Sequence, residues 1–121
     1  MIVRPDRTIA SLGFNGLPMP LPDAPEILGD REEKYEAIIH AEMNALLFAR
    51  EPIDGYTLYS TLFPCSRCAA HIIQKGVARV VSFASTPEQY ARWGKSAERA
   101  EKMFAGAQIP VEYYSNYGEQ A

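Results

Sequence analysis

Cysteine and histidine are scarce in this sequence, with two residues of each type among 121. Long apolar runs are absent: none approaches the roughly 20 residues needed to cross a bilayer, so no membrane partner is expected. Residues 1–5 also lack the basic-then-apolar pattern of a signal peptide. We therefore expect a cytoplasmic protein with reduced thiols, whose two cysteines, three residues apart, serve as metal ligands or redox groups.

A surplus of positive charge is missing as well. Lys and Arg number 12 against 15 Asp and Glu, and the formal net charge is −3. Proteins that bind long nucleic acids usually carry a basic surplus or stripe, so a polynucleotide partner is not expected. A mononucleotide is compatible with this charge, because one phosphate needs only one or two cations or a few backbone N–H groups.

What is present predicts a single α/β domain over residues 1–121. Apolar residues make up 47% of the chain and charged residues 22%, which is typical of a globular protein. After an N-terminal hairpin, helical and strand patterns alternate, and this order is typical of parallel strands joined by right-handed crossovers. The predicted strands are 2–3, 8–14, 56–61, 77–84 and 109–114, the helices are 41–50, 65–75 and 87–106 with a helical turn at 31–36, and 115–121 is a frayed tail.

The loop at residues 15–30 is long for a compact domain and contains four prolines and two glycines. Such residues exclude a regular element. Long ordered loops often act as lids or binding walls. The alternative, a surface excursion without function, stays open at this point.

The chemically most informative residues are His40, Cys65 and Cys68. Thiolate and imidazole are the ligands that zinc prefers, and three protein ligands leave the fourth position to water, as in catalytic sites. His71 lies a further helical turn beyond Cys68, about 4.5 Å along the axis, so we expect it on the helix surface. Pro64 is compatible with the first helical position, which places both thiols where helix N–H groups favour thiolate.

Glu42 lies two residues after His40. Residues two apart do not face each other within a helix, so the pair converges only if His40 ends an extended segment and the helix begins after it. Glu42 is then placed to accept a proton from a zinc-bound water. Two alternatives remain: a zinc-stabilised binding module without activity, in which Glu42 has no use, and a thiol–disulfide oxidoreductase that uses Cys65 and Cys68.

The order H-x-E followed by P-C-x-x-C is the signature of zinc-dependent nucleobase deaminases. At these residues the chain resembles the cytidine deaminase-like superfamily, and within it the deoxycytidylate (dCMP) deaminases. The matching stretches cover residues 13–18, 40–45, 64–69, 72–77 and 92–93.

The resemblance implies a three-layer fold with a mixed five-stranded sheet flanked by helices, and one zinc ion held by His40, Cys65 and Cys68. It implies attack of hydroxide on carbon 4 of a cytosine nucleotide, with Glu42 carrying the proton to the departing ammonia, and it also implies a homo-oligomer. The implied substrate contacts are Asn15 to the sugar, the Ala41 N–H to the base carbonyl and the Phe63 carbonyl to the leaving amine.

The chain departs from this family in two respects. Members usually have a helix before the first strand, which is missing here, and some carry a second zinc site, for which no Cys or His is left. Within the deaminases, a tRNA adenosine deaminase is the runner-up, and nucleoside, free-base and riboflavin-precursor deaminases are further alternatives.

Residues 87–106 raise two questions of their own. Arg92, Lys95, Arg99 and Lys102 form a basic stripe, for which a solvated face paired with Glu98 and Glu101 is the simpler interpretation and a phosphate site the alternative. An apolar stripe on the same helix is expected in the core, with a ligand platform as the alternative; it consists of Trp93, Ala97, Ala100 and Phe104. Phe14 either packs inward, which we favour, or forms a wall for the base.

Overall fold

The computed structural model describes residues 1–21 and 29–115. The predicted tail therefore lies outside the described residues except for Ser115, and so does residue range 22–28 of the long loop. Among the described residues no helix combines the length and the apolarity that a membrane span requires.

The described part of the chain has five strands and four helices. An N-terminal hairpin is followed by two successive helices, after which strands and helices alternate. The strands are β1 (Ile2–Val3), β2 (Ile9–Ser11), β3 (Thr57–Ser60), β4 (Arg79–Phe83) and β5 (Val111–Tyr114). The helices are α1 (Arg31–Ala37), α2 (Ala41–Phe48), α3 (Ser66–Gln74) and α4 (Pro87–Gly106).

The sheet has the order β2-β1-β3-β4-β5 and is mixed. Strand β1 is antiparallel to β2 and β3, whereas β3, β4 and β5 are parallel. Parallel neighbours need crossover connections, and α3 and α4 supply them. The predicted mixed five-stranded α/β fold is confirmed.

One row of side chains across the sheet forms the floor of the core. Ile2 is paired with Leu58, Leu58 with Val80, and Val80 with Val111. Of these residues, Ile2, Leu58 and Val80 are fully buried. Helices α2, α3 and α4 share one hydrophobic cluster with this row, so the N-termini of α2 and α3 are anchored to the sheet through their buried faces.

The end of α3 shows why its length is predictable from sequence. Gly76 follows the C-cap residue Lys75 and has a φ of +85°. That left-handed conformation costs glycine nothing and is strained for other residues. The helix therefore ends before Gly76, and the chain turns there toward β4, which begins at Arg79.

Candidate active site

The N-termini of α2 and α3 meet at one place, and each is preceded by a residue with chemical potential. His40 is the N-cap of α2 with φ −66° and ψ 154°, and Cys65 is the N-cap of α3 with φ −68° and ψ 166°. Both residues are therefore extended, and the helices begin directly after them. The condition that brings His40 and Glu42 to the same place is thus met.

The second thiol-bearing helix starts one residue later than predicted. The helix was expected from residue 65 with Pro64 at or near its first position, and it begins at Ser66 with Pro64 directly before the N-cap. Cys65 takes the N-cap position because its sulfur accepts a hydrogen bond from the N–H of Cys68, at 3.5 Å. The shift leaves one thiol on the cap and the other in the first turn.

Three potential ligands converge in this corner. The Nδ1 atom of His40 lies 3.4 Å from the sulfur of Cys65 and 3.5 Å from that of Cys68. All three ligand atoms lie within 4.8 Å of one another. Zn–S and Zn–N bonds of about 2.3 and 2.0–2.1 Å at tetrahedral angles require an S···N separation of about 3.6 Å. The three residues therefore fit a zinc ion.

The electrostatics of the thiols agree with a cation site. The hydrogen bond from Cys68, together with the interaction with His40, lowers the pKa of Cys65 to about 5. The same bond to Cys65, followed by burial, raises the pKa of Cys68. The two thiols thus hold one proton between them, and ligation of a metal would release it.

Glu42 lies beside these ligands in the first turn of α2. It is half-buried, and desolvation raises the pKa of its carboxyl above the ordinary value, with the negative Cys65 adding to the rise and His40 opposing it. Glu42 therefore lies beside the metal group, where a carboxyl is placed to exchange a proton with a water at the site.

Asn15 and Ala41, two predicted substrate contacts, are bonded to each other. The Ala41 N–H donates to the side-chain oxygen of Asn15 at 2.7 Å. Since the imidazole of His40 makes no capping bond, Asn15 supplies an acceptor for the start of α2 from outside the helix. Its amide nitrogen makes no hydrogen bond to the described residues, and the Ala41 N–H is engaged in this geometry.

The loop that carries Asn15 is fixed against α2. Its backbone pairs with the segment before the helix, through reciprocal hydrogen bonds between Gly16 and Ile39 at 2.8 and 3.1 Å. The Asn44 side chain donates to the carbonyl of Phe14 at 2.8 Å. A Cβ on Gly13 would lie 2.3 Å from the carbonyl oxygen of Ala41, which real Cβ atoms do not tolerate. The close contact of loop and helix therefore requires glycine.

The start of α3 is held from α4. The Ser66 N–H donates to the hydroxyl of Ser96 at 2.9 Å. This bond satisfies one of the free N–H groups at the helix start and fixes the turn that carries both thiols.

A cavity of about 660 Å³ opens above the ligands. Its inner side, which we call the metal wall, includes His40, Glu42 and Cys65, with Cys68 behind them. A second group of lining side chains comes from α1 and α4, and we call it the outer wall: Lys34, Tyr35, Tyr90 and Trp93. Phe63 also borders the cavity and packs edge-on against Phe104.

The structure corrects the predictions for two aromatic residues. Phe14 is 76% exposed and Trp93 is 46% exposed, and both border the cavity where core packing was expected. Of the apolar stripe of α4, Ala100 and Phe104 are buried as predicted, and Ala97 packs against the core. The wrong predictions share a cause: periodicity places a side chain on the inner face of an element but does not show where a cavity interrupts that face.

The predicted ion pairs of the basic stripe are also absent. Glu98 accepts a hydrogen bond from the hydroxyl of Tyr90, and Glu101 accepts one from Tyr113. The salt bridges of the described residues are Arg4–Glu51 and Arg79–Glu112, and neither involves the stripe. Glu98 instead holds Tyr90, whose ring lies over Gly94, in the outer wall.

His71 lies outside the metal group, as predicted. Its Nδ1–H donates to the carbonyl of Arg67 at 2.7 Å on the exposed side of α3. Lys34, Tyr35 and Tyr90 border the cavity but were not predicted. The only sequence signal for the first two was their short distance along the chain from His40.

One imidazole, two thiols and a half-buried carboxylate at the floor of a cavity define an open zinc site of the hydrolytic kind. The profile of the family "Cytidine and deoxycytidylate deaminase zinc-binding region" matches residues 1–84. The chain belongs to this family of zinc-dependent deaminases.

Individual relatives agree with this assignment. The chain is 37% identical over 110 residues to an uncharacterised deaminase of the luxG 3′ region of Aliivibrio fischeri, covering 91% of this chain and 74% of that protein. It is 35% identical over 117 residues to a probable deoxycytidylate deaminase of Caenorhabditis elegans, covering 93% and 56%. It thus spans little more than half the length of the latter.

The fold is similar to that of a solved deaminase. The crystal structure of dCMP deaminase from the cyanophage S-TIM5 in apo form matches with a TM-score of 0.68 and 25% sequence identity. The match covers 93% of this chain and 75% of the cyanophage chain.

Proposed function

We propose that this protein is a hydrolytic deaminase that converts dCMP and water to dUMP and ammonia. The observation that carries the proposal is the position of Glu42, half-buried beside a three-ligand site that leaves a metal's fourth position free. A purely structural zinc site is closed by four protein ligands and has no use for such a carboxylate. A zinc-stabilised binding module is therefore disfavoured.

Zinc, when held by His40, Cys65 and Cys68, would supply a Lewis acid that makes a water acidic near neutral pH. Glu42 accepts a proton from the water that attacks carbon 4 of the cytosine ring and passes it to ring nitrogen 3. The same carboxyl then carries the remaining hydroxyl proton to the amino nitrogen on carbon 4, which leaves as ammonia while the oxygen becomes the carbonyl of dUMP. The raised pKa of Glu42 suits both steps, because the group must take up and release a proton in each turnover.

The remaining contacts position the nucleotide. In our proposal Asn15 turns its free amide nitrogen to a sugar hydroxyl, and the carbonyl of Phe63 accepts from the leaving amine. The Ala41 N–H binds the base carbonyl, which requires the substrate to displace the side-chain oxygen of Asn15 from this donor. Substrate binding thus exchanges one hydrogen bond for another at the start of α2.

The choice of dCMP is supported by the family and by relatives named as deoxycytidylate deaminases. The net charge of −3 speaks against a tRNA substrate. We further propose a cytoplasmic enzyme, because the ligand thiols must stay reduced, and a homo-oligomer, for which the exposed Leu12, Leu47 and Phe48 offer apolar contact area.

An ammonia-release screen tests the proposal. The zinc-loaded protein is incubated with dCMP, deoxycytidine, cytidine, guanine and a tRNA anticodon hairpin, and the expected result is release from dCMP with dUMP as the second product. If dCMP is inert while another compound is turned over, the substrate assignment is wrong. If none reacts with a protein that holds one zinc per chain, the enzymatic proposal itself fails.

A further inference from the structure

One lysine borders the cavity of the metal group. Of the described residues that border it, Lys34 is the only lysine or arginine, and Glu42 is the only carboxylate. The two lie on different walls: Glu42 belongs to the metal wall at the floor and Lys34 to the outer wall. A ligand with an uncharged end at the metal group and an anionic group at its other end therefore has one cationic side chain to bind in this cavity, that of Lys34.

The backbone connects Lys34 to the residues beside the metal group. The carbonyl of Lys34 accepts from the N–H of Ile38 at 2.8 Å, one helical turn later. Ile38 borders the same cavity and is followed by Ile39, which pairs with Gly16 beside Asn15. Lys34 therefore borders the same cavity as Glu42 and the Asn15–Ala41 pair, and short segments of backbone link them.

The charge of Lys34 is available to a ligand. Lys34 takes part in neither of the two salt bridges of the described residues, and its side chain is exposed. The three glutamates of α1 do not border the cavity. Beside it, Tyr35 is stacked under the guanidinium of Arg31, with 5.3 Å from the ring centre to the Arg31 carbon, so the ring next to Lys34 is held in place.

The basic stripe of α4 is a weaker candidate for the same anion. Arg92, Lys95, Arg99 and Lys102 lack salt bridges within the described part of the chain. None of the four borders the cavity, although Trp93 and Ser96 between them do. Periodicity places the stripe on the side of α4 away from the buried Ala100 and Phe104.

We propose that Lys34 binds the 5′-phosphate of the nucleotide and thereby makes the protein select nucleoside monophosphates over nucleosides. The inference rests on the proposed function for the orientation of the ligand, with the base at the floor and the sugar at Asn15. An ammonium that meets a phosphate in a partly enclosed site forms a charge-assisted hydrogen bond. A nucleoside, which has the same base and sugar but no phosphate, does not make this contact.

The test compares dCMP with deoxycytidine in three variants, Lys34→Met, Lys34→Arg and Lys95→Met. Lys34→Met keeps the length of the side chain and removes its charge, and we expect the dissociation constant of dCMP to rise about 10- to 100-fold. Deoxycytidine should bind as in the wild type. Lys34→Arg should retain most of the preference, and Lys95→Met, which alters an α4 cation outside the cavity, should match the wild type with both ligands.

Dissociation constants are measured by calorimetry in the Glu42→Gln background, so the result does not depend on turnover. Added salt should weaken dCMP binding more in the Lys34 protein than in Lys34→Met, because screening acts on the charge that was removed. Equal losses for dCMP and deoxycytidine, an unchanged dCMP affinity, or an equal loss in Lys95→Met would each overturn the proposal. If dCMP binding depends on Lys34 but the protein with Glu42 intact does not turn dCMP over, the deaminase assignment is refuted and the phosphate site stands.

Discussion

The two walls of the cavity are built in different ways. The metal wall is attached to helices whose inner faces are buried: Ala45 and Leu46 anchor α2, and Ala69 and Ile72 anchor α3. The outer wall is formed by Lys34, Tyr35, Tyr90 and Trp93, all of them exposed, and α1 has no buried residue. The side chains that would hold a metal at fixed distances thus lie at the starts of helices that are tied to the core. The outer wall combines exposed side chains from α4, which the core anchors through Ala100 and Phe104, with those of α1, which has no buried residue.

The largest expected effect is on the metal wall itself. Glu42→Gln removes the proton carrier but keeps the shape, and it should lower kcat by about 10²- to 10⁴-fold. Zinc content, measured by atomic absorption, should stay near that of the wild type because Glu42 is not a ligand. A variant that still deaminates at the wild-type rate would contradict the assigned role.

A pair of aromatic substitutions on α4 compares the outer wall with the core. Phe104→Ala empties a fully buried site and should lower the free energy of unfolding by about 3–5 kcal/mol. Trp93→Ala, on the same helix but in the outer wall, should cost far less stability and raise KM instead. Urea denaturation and steady-state kinetics on both variants would measure the two effects. If Trp93→Ala proved as destabilising as Phe104→Ala, the outer wall would belong to the core.

The next largest effect is expected where the loop at Gly13 contacts α2. A Cβ at Gly13 would lie 2.3 Å from the Ala41 oxygen and 2.5 Å from the Ala45 nitrogen. Gly13→Ala should therefore destabilise the protein by about 1–3 kcal/mol and raise KM, because Asn15 moves with the loop. Gly106→Ala at the end of α4 is the matched control: its Cβ meets nothing within 4 Å, so Tm should be unchanged or slightly higher. Equal Tm values for the two variants would refute this account.

The smallest effect is expected for the ion pair between Arg79 and Glu112, which lies away from both walls on the face of the sheet opposite the buried row of Leu58 and Val80. Hydrogen bonds from Arg79 hold the pKa of Glu112 below its usual range. Because the pKa is lower in the folded state, the pair stabilises the protein above the unfolded-state value near 4.3 and loses this contribution as the pH falls. Glu112→Gln should lower Tm slightly at pH 7, with the difference vanishing below pH 4 and kcat unchanged. A difference that grew on acidification would have the wrong sign.

The sequence predicts the metal wall well and the outer wall poorly, for a physical reason. His40, Glu42, Cys65 and Cys68 are recognisable because zinc chemistry restricts the residue types and their spacing, and helix starts are encoded locally. Trp93 and Phe14 were misplaced because their periodicity is that of packed residues, and only the three-dimensional arrangement reveals a cavity beside them. No sequence pattern marks Lys34. What distinguishes this residue is its position, because it is the only lysine or arginine among the described residues that border the cavity. The partners of Glu98 and Glu101 were missed because tyrosines compete with basic residues for the same carboxylates.

The N-cap positions of α2 and α3 have a thermodynamic consequence. They are occupied by two potential metal ligands, His40 and Cys65. The Cys65 sulfur itself caps α3, and Asn15 provides an acceptor for α2 from outside the helix, so each helix start has an acceptor within the protein. An ion bound by His40, Cys65 and Cys68 would add its binding free energy to that of folding, and the melting temperature should then rise with the logarithm of free zinc once the dissociation constant is exceeded.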